Sequence, residues 1–241
     1  MIKAVIFDFN GVIINDEPIH QQLIEEILLE ENLVLKPGEY QQICLGRSDR
    51  ACLRDLLASR GRVADEDYLT KLQQKKARSY VEQIENLEEL PLYSGLNDFI
   101  FKIRSSNLKL AIASGAIRKE IDLVLERAKL AEYFKIVVAA DDITTSKPKP
   151  DGYLLTVERL NQESPELNLQ PSECLAIEDT LAGIQAAKAA GMKVVGVANT
   201  YPFHMLQRQS NWTVDYLNEL ELDRIQEFYS STSDESDDDL K

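Results

Sequence analysis

Asp8 follows directly on the apolar run Ala4–Phe7, with Asn10 and Gly11 close behind it. The same arrangement recurs along the chain. Ser114-Gly115 follow Leu110–Ala113, Asp141-Asp142 follow Ile136–Ala140, and Glu178-Asp179-Thr180 follow Leu175–Ile177. Lys147 stands in Ser146-Lys147-Pro148-Lys149-Pro150-Asp151, where prolines fix the turns around it. Carboxylates, a hydroxyl and a lysine in these positions suit phosphoryl chemistry. A carboxylate at the end of a buried strand can attack phosphorus and become an aspartyl-phosphate. Carboxylate and phosphate dianion repel each other, so a hard cation is needed between them. Glu178 and Asp179 offer the oxygen ligands that Mg²⁺ prefers. The Ser114 hydroxyl and the Gly115 N–H, ahead of a helix start, can donate to phosphate oxygens. Lys147 can offset the charge of the transferring group.

The elements that must hold these residues are legible from periodicity. Ala4–Phe7, Leu110–Ala113, Ile136–Ala140, Leu175–Ile177 and Val194–Ala198 read as strands buried on both faces. Helical patterns over Arg118–Leu130, Asp151–Leu160 and Leu181–Ala190 alternate with them, the last closing at Gly191. Alternation of this kind predicts an α/β fold, a doubly wound parallel sheet, whose ligands bind beyond the carboxyl ends of the strands. The first strand breaks the rhythm. No strand-like run appears between residues 16 and 88, whereas Ile19, Leu23, Ile24 and Ile27 share a helical face, as do Leu53, Leu56 and Leu57. We therefore expect an inserted helical cap over residues 15–90 and a core formed by 1–14 and 91–229. The crossings fall near 14–18 and 89–95, the second carrying Pro91 and Gly95. Residues 230–241 have no apolar periodicity and are expected to be disordered, with room for a protein partner.

Composition removes other classes of function. The 241 residues carry a formal net charge of −14, which argues against nucleic acid and anionic membranes. Only two histidines are present, His20 and His204, far apart and without cysteines at ligand spacing, so neither a zinc site nor a Ser-His-Asp triad is expected. Cys44, Cys52 and Cys174 are odd in number with no paired spacing, which predicts reduced thiols. No run is long enough to span a membrane and no signal peptide is visible, so the expected location is cytoplasmic.

The segments FDFNGVI (7–13), IASGA (112–116), SKPKPDGY (146–153) and IEDTLAGIQAAKAAGM (177–192) together resemble the haloacid dehalogenase superfamily, in its β-phosphoglucomutase-like and phosphoglycolate phosphatase-like branch with a helical cap. That resemblance implies a Rossmann-like core and a phosphatase of small phosphorylated metabolites, with Asp8 as nucleophile. Ser114 and Lys147 would bind the transferring phosphoryl group. Mg²⁺ would be held by Asp8, the backbone carbonyl of Asn10, Glu178 and Asp179. In the cap, Gly46-Arg47-Ser48 resembles a substrate-specificity loop, Lys76 stands where a lysine can reach a second phosphate, and His20 resembles a hinge histidine. The chain departs from the family at position 10, where a second aspartate serves as general acid and base. Asn10 can donate and accept hydrogen bonds but cannot exchange a proton. General acid–base catalysis is worth about 10²–10⁴ in rate, so a slowed phosphatase is expected unless another base, among Asp16, Glu17 and Asp49, substitutes. A sugar-phosphate mutase ranks lower because it must move protons on sugar hydroxyls. A degenerate relative that binds without turnover is the alternative from another class. Dehalogenation would leave Glu178-Asp179 without a role, and phosphonate hydrolysis would require Lys75 or Lys76 as a Schiff-base lysine.

Overall fold

In the computed structural model, residues 1–234 are described. Six strands form one parallel sheet in the order β3-β2-β1-β4-β5-β6. These are β1 (Ala4–Phe7), β2 (Lys109–Ala113), β3 (Ile136–Val138), β4 (Cys174–Glu178), β5 (Lys193–Val197) and β6 (Trp212–Val214). Between β1 and β2 lie α1 (Glu17–Glu30), α2 (Glu39–Ile43), α3 (Asp49–Ala58), α4 (Glu66–Asn86) and α5 (Leu96–Ser105). The remaining helices are α6 (Arg118–Arg127), α7 (Asp151–Glu163), α8 (Leu181–Ala189), α9 (Phe203–Leu206) and α10 (Leu222–Asp234).

Side-chain size separates the two faces of the sheet. Val5, Phe7, Ile112, Ile177 and Val195 point to one side, where Phe99 and Ile103 of α5, Ile121 of α6 and Ile225 of α10 fill the space. Ala4, Ala111, Ala113 and Ala176 point to the other, and these small residues let α7 and α8 pack through Tyr153, Leu160, Ile184 and Ala187. Such strands, buried on both faces, require helices on both sides. The register pairs Phe7 with Ile112 on one side and with Ile177 on the other. Asp8, Ser114 and Glu178 thus reach the same edge of the sheet.

Helices α1 to α4 have an apolar centre of their own, including Ile24, Ile27, Tyr40, Leu53, Leu56 and Leu69. The two chain crossings beneath this helical cap pair with each other. Ile14 bridges Leu92 in antiparallel fashion, Asn15 N–H donates to the Pro91 carbonyl at 2.8 Å, and Tyr93 N–H donates to the Ile13 carbonyl at 3.2 Å.

Several expectations need correction. The third run leaves the sheet at Val138, and Ala140–Asp142 form a single 3-10 turn. Helix α5 and the short, half-buried β6 carry no expectation from periodicity. Helix α10 continues to Asp234, so backbone expected to be disordered from residue 230 is helical there. The rest of the acidic tail lies outside the described residues. Two of the three cysteines are not thiols: Cys44 and Cys52 form a disulfide. The turn between α2 and α3 folds back on itself, which brings their Cα atoms to 4.5 Å. Cys174 is free and buried, and burial pushes its thiol up to about 12. Among the described residues, no helix is long and apolar enough to cross a membrane.

Candidate active site

The end of β1 delivers Asp8 into a pocket where the residue is 4% exposed. Phe9 N–H donates to its Oδ1 at 2.7 Å, and Lys147 Nζ lies 2.8 Å from the same oxygen. The lysine also donates to Glu178 Oε1 at 2.6 Å, as does the Tyr153 hydroxyl at 2.6 Å. Thr180 caps the start of α8 through Gly183 N–H, and its hydroxyl donates to Glu178 Oε2 at 3.2 Å. Asp179 receives the Thr200 hydroxyl on Oδ2, whereas its Oδ1 is buried without a partner. Gly11 makes this crowding possible: its φ is +80°, and a Cβ there would lie 1.9 Å from Asp179 Oδ2.

Asp8, Glu178 and Asp179 each offer an oxygen, all within 4.8 Å of one another and all buried. One ammonium, that of Lys147, faces them. Burial, followed by repulsion from Glu178, pushes Asp8 up to about 7 against the pull of Lys147. Burial, then Asp8 and Glu178, raise Asp179 well above the ordinary carboxylate range. Three hard oxygen donors, one of them orphaned, together with an excess of negative charge, fit a divalent cation of the Mg²⁺ type.

Ser114 is buried at the end of β2, its N–H donating to the Val138 carbonyl and its Oγ accepting from Ala116 N–H at 3.0 Å. Its hydroxyl proton is thereby left for another acceptor. Gly115 borders two cavities. The smaller, about 40 Å³, also touches Asp8, Asn10 and the cap; the larger, about 430 Å³, touches Ser114 and Lys147. The loop Gly46-Arg47-Ser48 closes the wall between them. Ser48 N–H donates to Ser146 Oγ at 2.8 Å, and Gly46 (φ +73°) sits so close that a Cβ would lie 2.5 Å from Thr180 Oγ1.

Other candidates are placed differently from expectation. Arg47 borders the small cavity, but its guanidinium is held by the Ile43 carbonyl at 2.8 Å and Asp55 at 2.7 Å. Lys76 is fully buried and borders neither cavity; its Nζ lies 2.7 Å from Asp49 and 3.7 Å from Glu120, and contacts His20 Nδ1. The aspartates after β3 serve the fold instead. Asp142 accepts Ala139 N–H and Arg159, and Asp141 accepts Arg118 N–H.

The side chain of Asn10 is engaged by Asp16, one of the three acids named as a possible substitute base. Asn10 Nδ2 lies 3.0 and 2.9 Å from the two carboxylate oxygens of Asp16, and 3.0 Å from His20 Nε2. Asp16 occupies the N-cap position of α1 yet caps no backbone N–H with its side chain. It is entirely buried and also receives the Tyr80 hydroxyl. Despite burial, His20, Tyr80 and Asn10 hold its carboxyl below the usual range. The only signal in the sequence is an acid at a helix start, which ordinarily means a cap. Glu17, next to it, accepts the Tyr40 hydroxyl at 2.5 Å.

A parallel sheet with acids, serine and lysine at one edge, covered by a helical insert, defines a capped α/β enzyme of the phosphoryl-handling type. The family model for haloacid dehalogenase-like hydrolases matches residues 5–197, and the chain belongs to that family. It is similar to the phosphorylated carbohydrates phosphatase of Thermotoga maritima, with 28% identity covering 83% of this chain and 87% of that protein. Similarity to the fructose-1-phosphate phosphatase YqaB of Escherichia coli is 29% over 80% and 95% of the two chains. Among solved structures, β-phosphoglucomutase from Clostridium difficile superimposes with a TM-score of 0.80 at 25% identity, covering 96% of this chain and 99% of that one.

Proposed function

We propose that this chain is a Mg²⁺-dependent phosphomonoesterase acting on a small phosphorylated sugar or similar metabolite through an aspartyl-phosphate on Asp8. The observation that carries the reading is the placement of Asp8 between Lys147, at 2.8 Å, and the buried pair Glu178-Asp179. In the first half-reaction an Asp8 carboxylate oxygen bonds to phosphorus as the ester P–O bond breaks. Lys147 and the Ser114 hydroxyl hold the equatorial oxygens, with Gly115 N–H beside them. In the second, water attacks phosphorus as the acyl-phosphate P–O bond breaks, which regenerates the Asp8 carboxylate and releases inorganic phosphate. Asp8, the Asn10 carbonyl, Glu178 and Asp179 would hold Mg²⁺, which when bound offsets the repulsion between carboxylate and phosphate dianion.

Asn10 sets the rate. The leaving oxygen must take its proton from solvent, and the attacking water must lose its own without a carboxylate at position 10. Slow turnover follows, least slowed for phosphate esters with good leaving groups. The phosphatase names of two relatives support hydrolysis. Likeness to a β-phosphoglucomutase favours a mutase as second reading, but Asn10 weighs against it, because that reaction requires proton transfer on sugar hydroxyls. The test is phosphate release from a panel of monoesters with and without Mg²⁺. We expect release from wild type with Mg²⁺, none from Asp8→Asn, and the highest rates on aryl or acyl phosphates. Absence of release from every ester at high enzyme concentration would leave a binding protein instead.

A further inference from the structure

Only one of the two cavities that meet at Gly115 can hold a leaving group. The cavity bordered by Asp8 and Asn10 is about 40 Å³, room for a water or two. The one beside Ser114 and Lys147 is about 430 Å³ and lies between the cap and the loop that follows β3. A further cavity of about 420 Å³ adjoins it along α4, with Gln73 and Asp141 as shared walls. Whatever a substrate carries beyond its transferring phosphoryl group therefore lies in this cleft.

The cleft is basic although the chain carries a net charge of −14. Arg50 and Arg54 share one carboxylate, that of Glu66: Arg50 Nε lies 3.0 Å from Oε2, and Arg54 Nη2 lies 2.8 Å from Oε1. The Glu66 side chain is 66% exposed, so water screens it and it leaves one guanidinium charge unmatched. Lys149 lines the same cavity, Arg78 and Lys119 the adjoining one, and among the described residues these three have no ion pair. Beyond Glu66, Asp141 is the one acid on the walls. Five cations thus face two acids. Charge of one sign gathered in a cleft focuses the field and concentrates ions of the other sign there.

Asn10 makes a matching demand on the substrate. Without an acid at position 10, the bond to phosphorus breaks most readily when the departing oxygen needs no proton. A sugar alkoxide is nearly as basic as hydroxide, whose conjugate acid, water, has a pKa of about 15.7. A phosphate oxygen takes up its second proton only near about 6. A phosphate leaving group thus departs with its negative charge, and cations must receive it. We infer that this site also cleaves phosphoanhydrides, its further substrate being a short polyphosphate chain, free or carried on a nucleoside. The terminal phosphoryl group goes to Asp8 while the rest of the chain lies along Arg50, Arg54 and Lys149. An Asp8 carboxylate oxygen bonds to the terminal phosphorus, the bridging P–O bond breaks, and its electron pair leaves on the shortened chain without a proton. Water then splits the aspartyl-phosphate into carboxylate and inorganic phosphate, its protons passing to phosphate and solvent. The inference rests on the phosphatase reading and adds to it an anionic leaving group.

Phosphate release with Mg²⁺ from tripolyphosphate, adenosine triphosphate, para-nitrophenyl phosphate and fructose 1-phosphate tests this. The aspartyl-phosphate step is common to all four, so the comparison is made in kcat/KM, which is complete once the leaving group has gone. Tripolyphosphate should exceed fructose 1-phosphate by about 10²–10⁴, the loss that a missing acid imposes on the ester alone. Para-nitrophenyl phosphate separates the two causes, since its leaving group is weakly basic but carries a single charge. Arg54→Gln/Lys149→Gln should lower the ratio of tripolyphosphate to nitrophenyl phosphate about tenfold, mainly through KM. Lys119→Gln should lower it severalfold if the double variant does not fold. Turnover of adenosine triphosphate as well supports a carried chain, and turnover of tripolyphosphate without it a free one. Neither anhydride exceeding fructose 1-phosphate, or a ratio unchanged in the folded variants, would overturn the inference and leave the phosphatase reading in place. Release from none of the four would overturn both.

Discussion

At residue scale, the departure at position 10 is one half of an exchange. A carboxylate is present beside the site, but it stands at Asp16, and the amide of Asn10 donates to it. The strand-end residues Asp8, Ser114, Glu178 and Asp179 could be located from sequence because apolar runs fix where each strand stops. Asp16 stood only as one of three candidate acids, because nothing in a helix-start acid reveals that it turns back on residue 10. This pairing has a consequence for repair of the site. Asn10→Asp alone sets two carboxylates within about 3 Å, where they share one proton instead of ionising independently. The single variant should gain little on a monoester with a poor leaving group. Asn10→Asp/Asp16→Asn keeps an N–H to carboxylate bond in the reverse sense and frees a carboxylate at position 10. It should raise kcat by about 10²–10⁴, measured as phosphate release with Mg²⁺. A single variant as active as the double would show that Asp16 does not restrain residue 10.

At the scale of elements, periodicity revealed those that bury both faces or one broad stripe. The first five strands and α6 to α8 were legible for that reason. Strand β6 was not, since its three residues are only half-buried and pair at the edge beside β5. Helix α5 follows so closely on Pro91 and Gly95 that the crossing masked it. How the cap docks depends on single bonds between distant residues, such as Ser48 to Ser146 and Arg127 to the carbonyls of Ile84 and Leu87, and no local pattern encodes those. The cysteine pair was illegible too, because a separation of eight residues says nothing about a fold-back. Within the cap, Glu39 at the start of α2 binds Arg60 beyond α3 through both oxygens, at 2.5 and 2.6 Å. The Arg60 hydrogen bonds hold this carboxyl down at about 2, from 4.5. A depressed folded-state pKa gives stability that is complete above the unfolded value and fades as pH falls from about 4.5 toward 2. The contribution is on the order of 2–3 kcal/mol at pH 7. Urea unfolding of wild type and Glu39→Gln should show an advantage for wild type at pH 7, with about half of it gone at pH 3. An advantage that is the same at both pH values would mean the ion pair does not tie α2 to α3.

At the scale of the whole molecule, folding itself assembles the acid cluster. Asp8 comes from the first strand, Glu178 and Asp179 from the fourth, and only the closed sheet holds them together. Without a cation this is a cost to the fold: three buried carboxylates face one lysine, and Asp179 Oδ1 has no partner. A cation that binds the folded state alone returns that cost as stability. At about a hundred times its Kd, Mg²⁺ adds about 2.7 kcal/mol, or roughly 5–10 °C in Tm for a chain of this length. Asp179→Asn should divide the two effects. Removal of one crowded charge raises the Tm of the metal-free protein above that of wild type, while most of the gain from Mg²⁺ disappears. Scanning calorimetry in EDTA and in Mg²⁺ should therefore show the order of the two proteins inverted between the two buffers. If Mg²⁺ leaves the wild-type Tm unchanged, or if Asp179→Asn lowers the metal-free Tm, the acids at the sheet edge are held together by something other than their need for a cation.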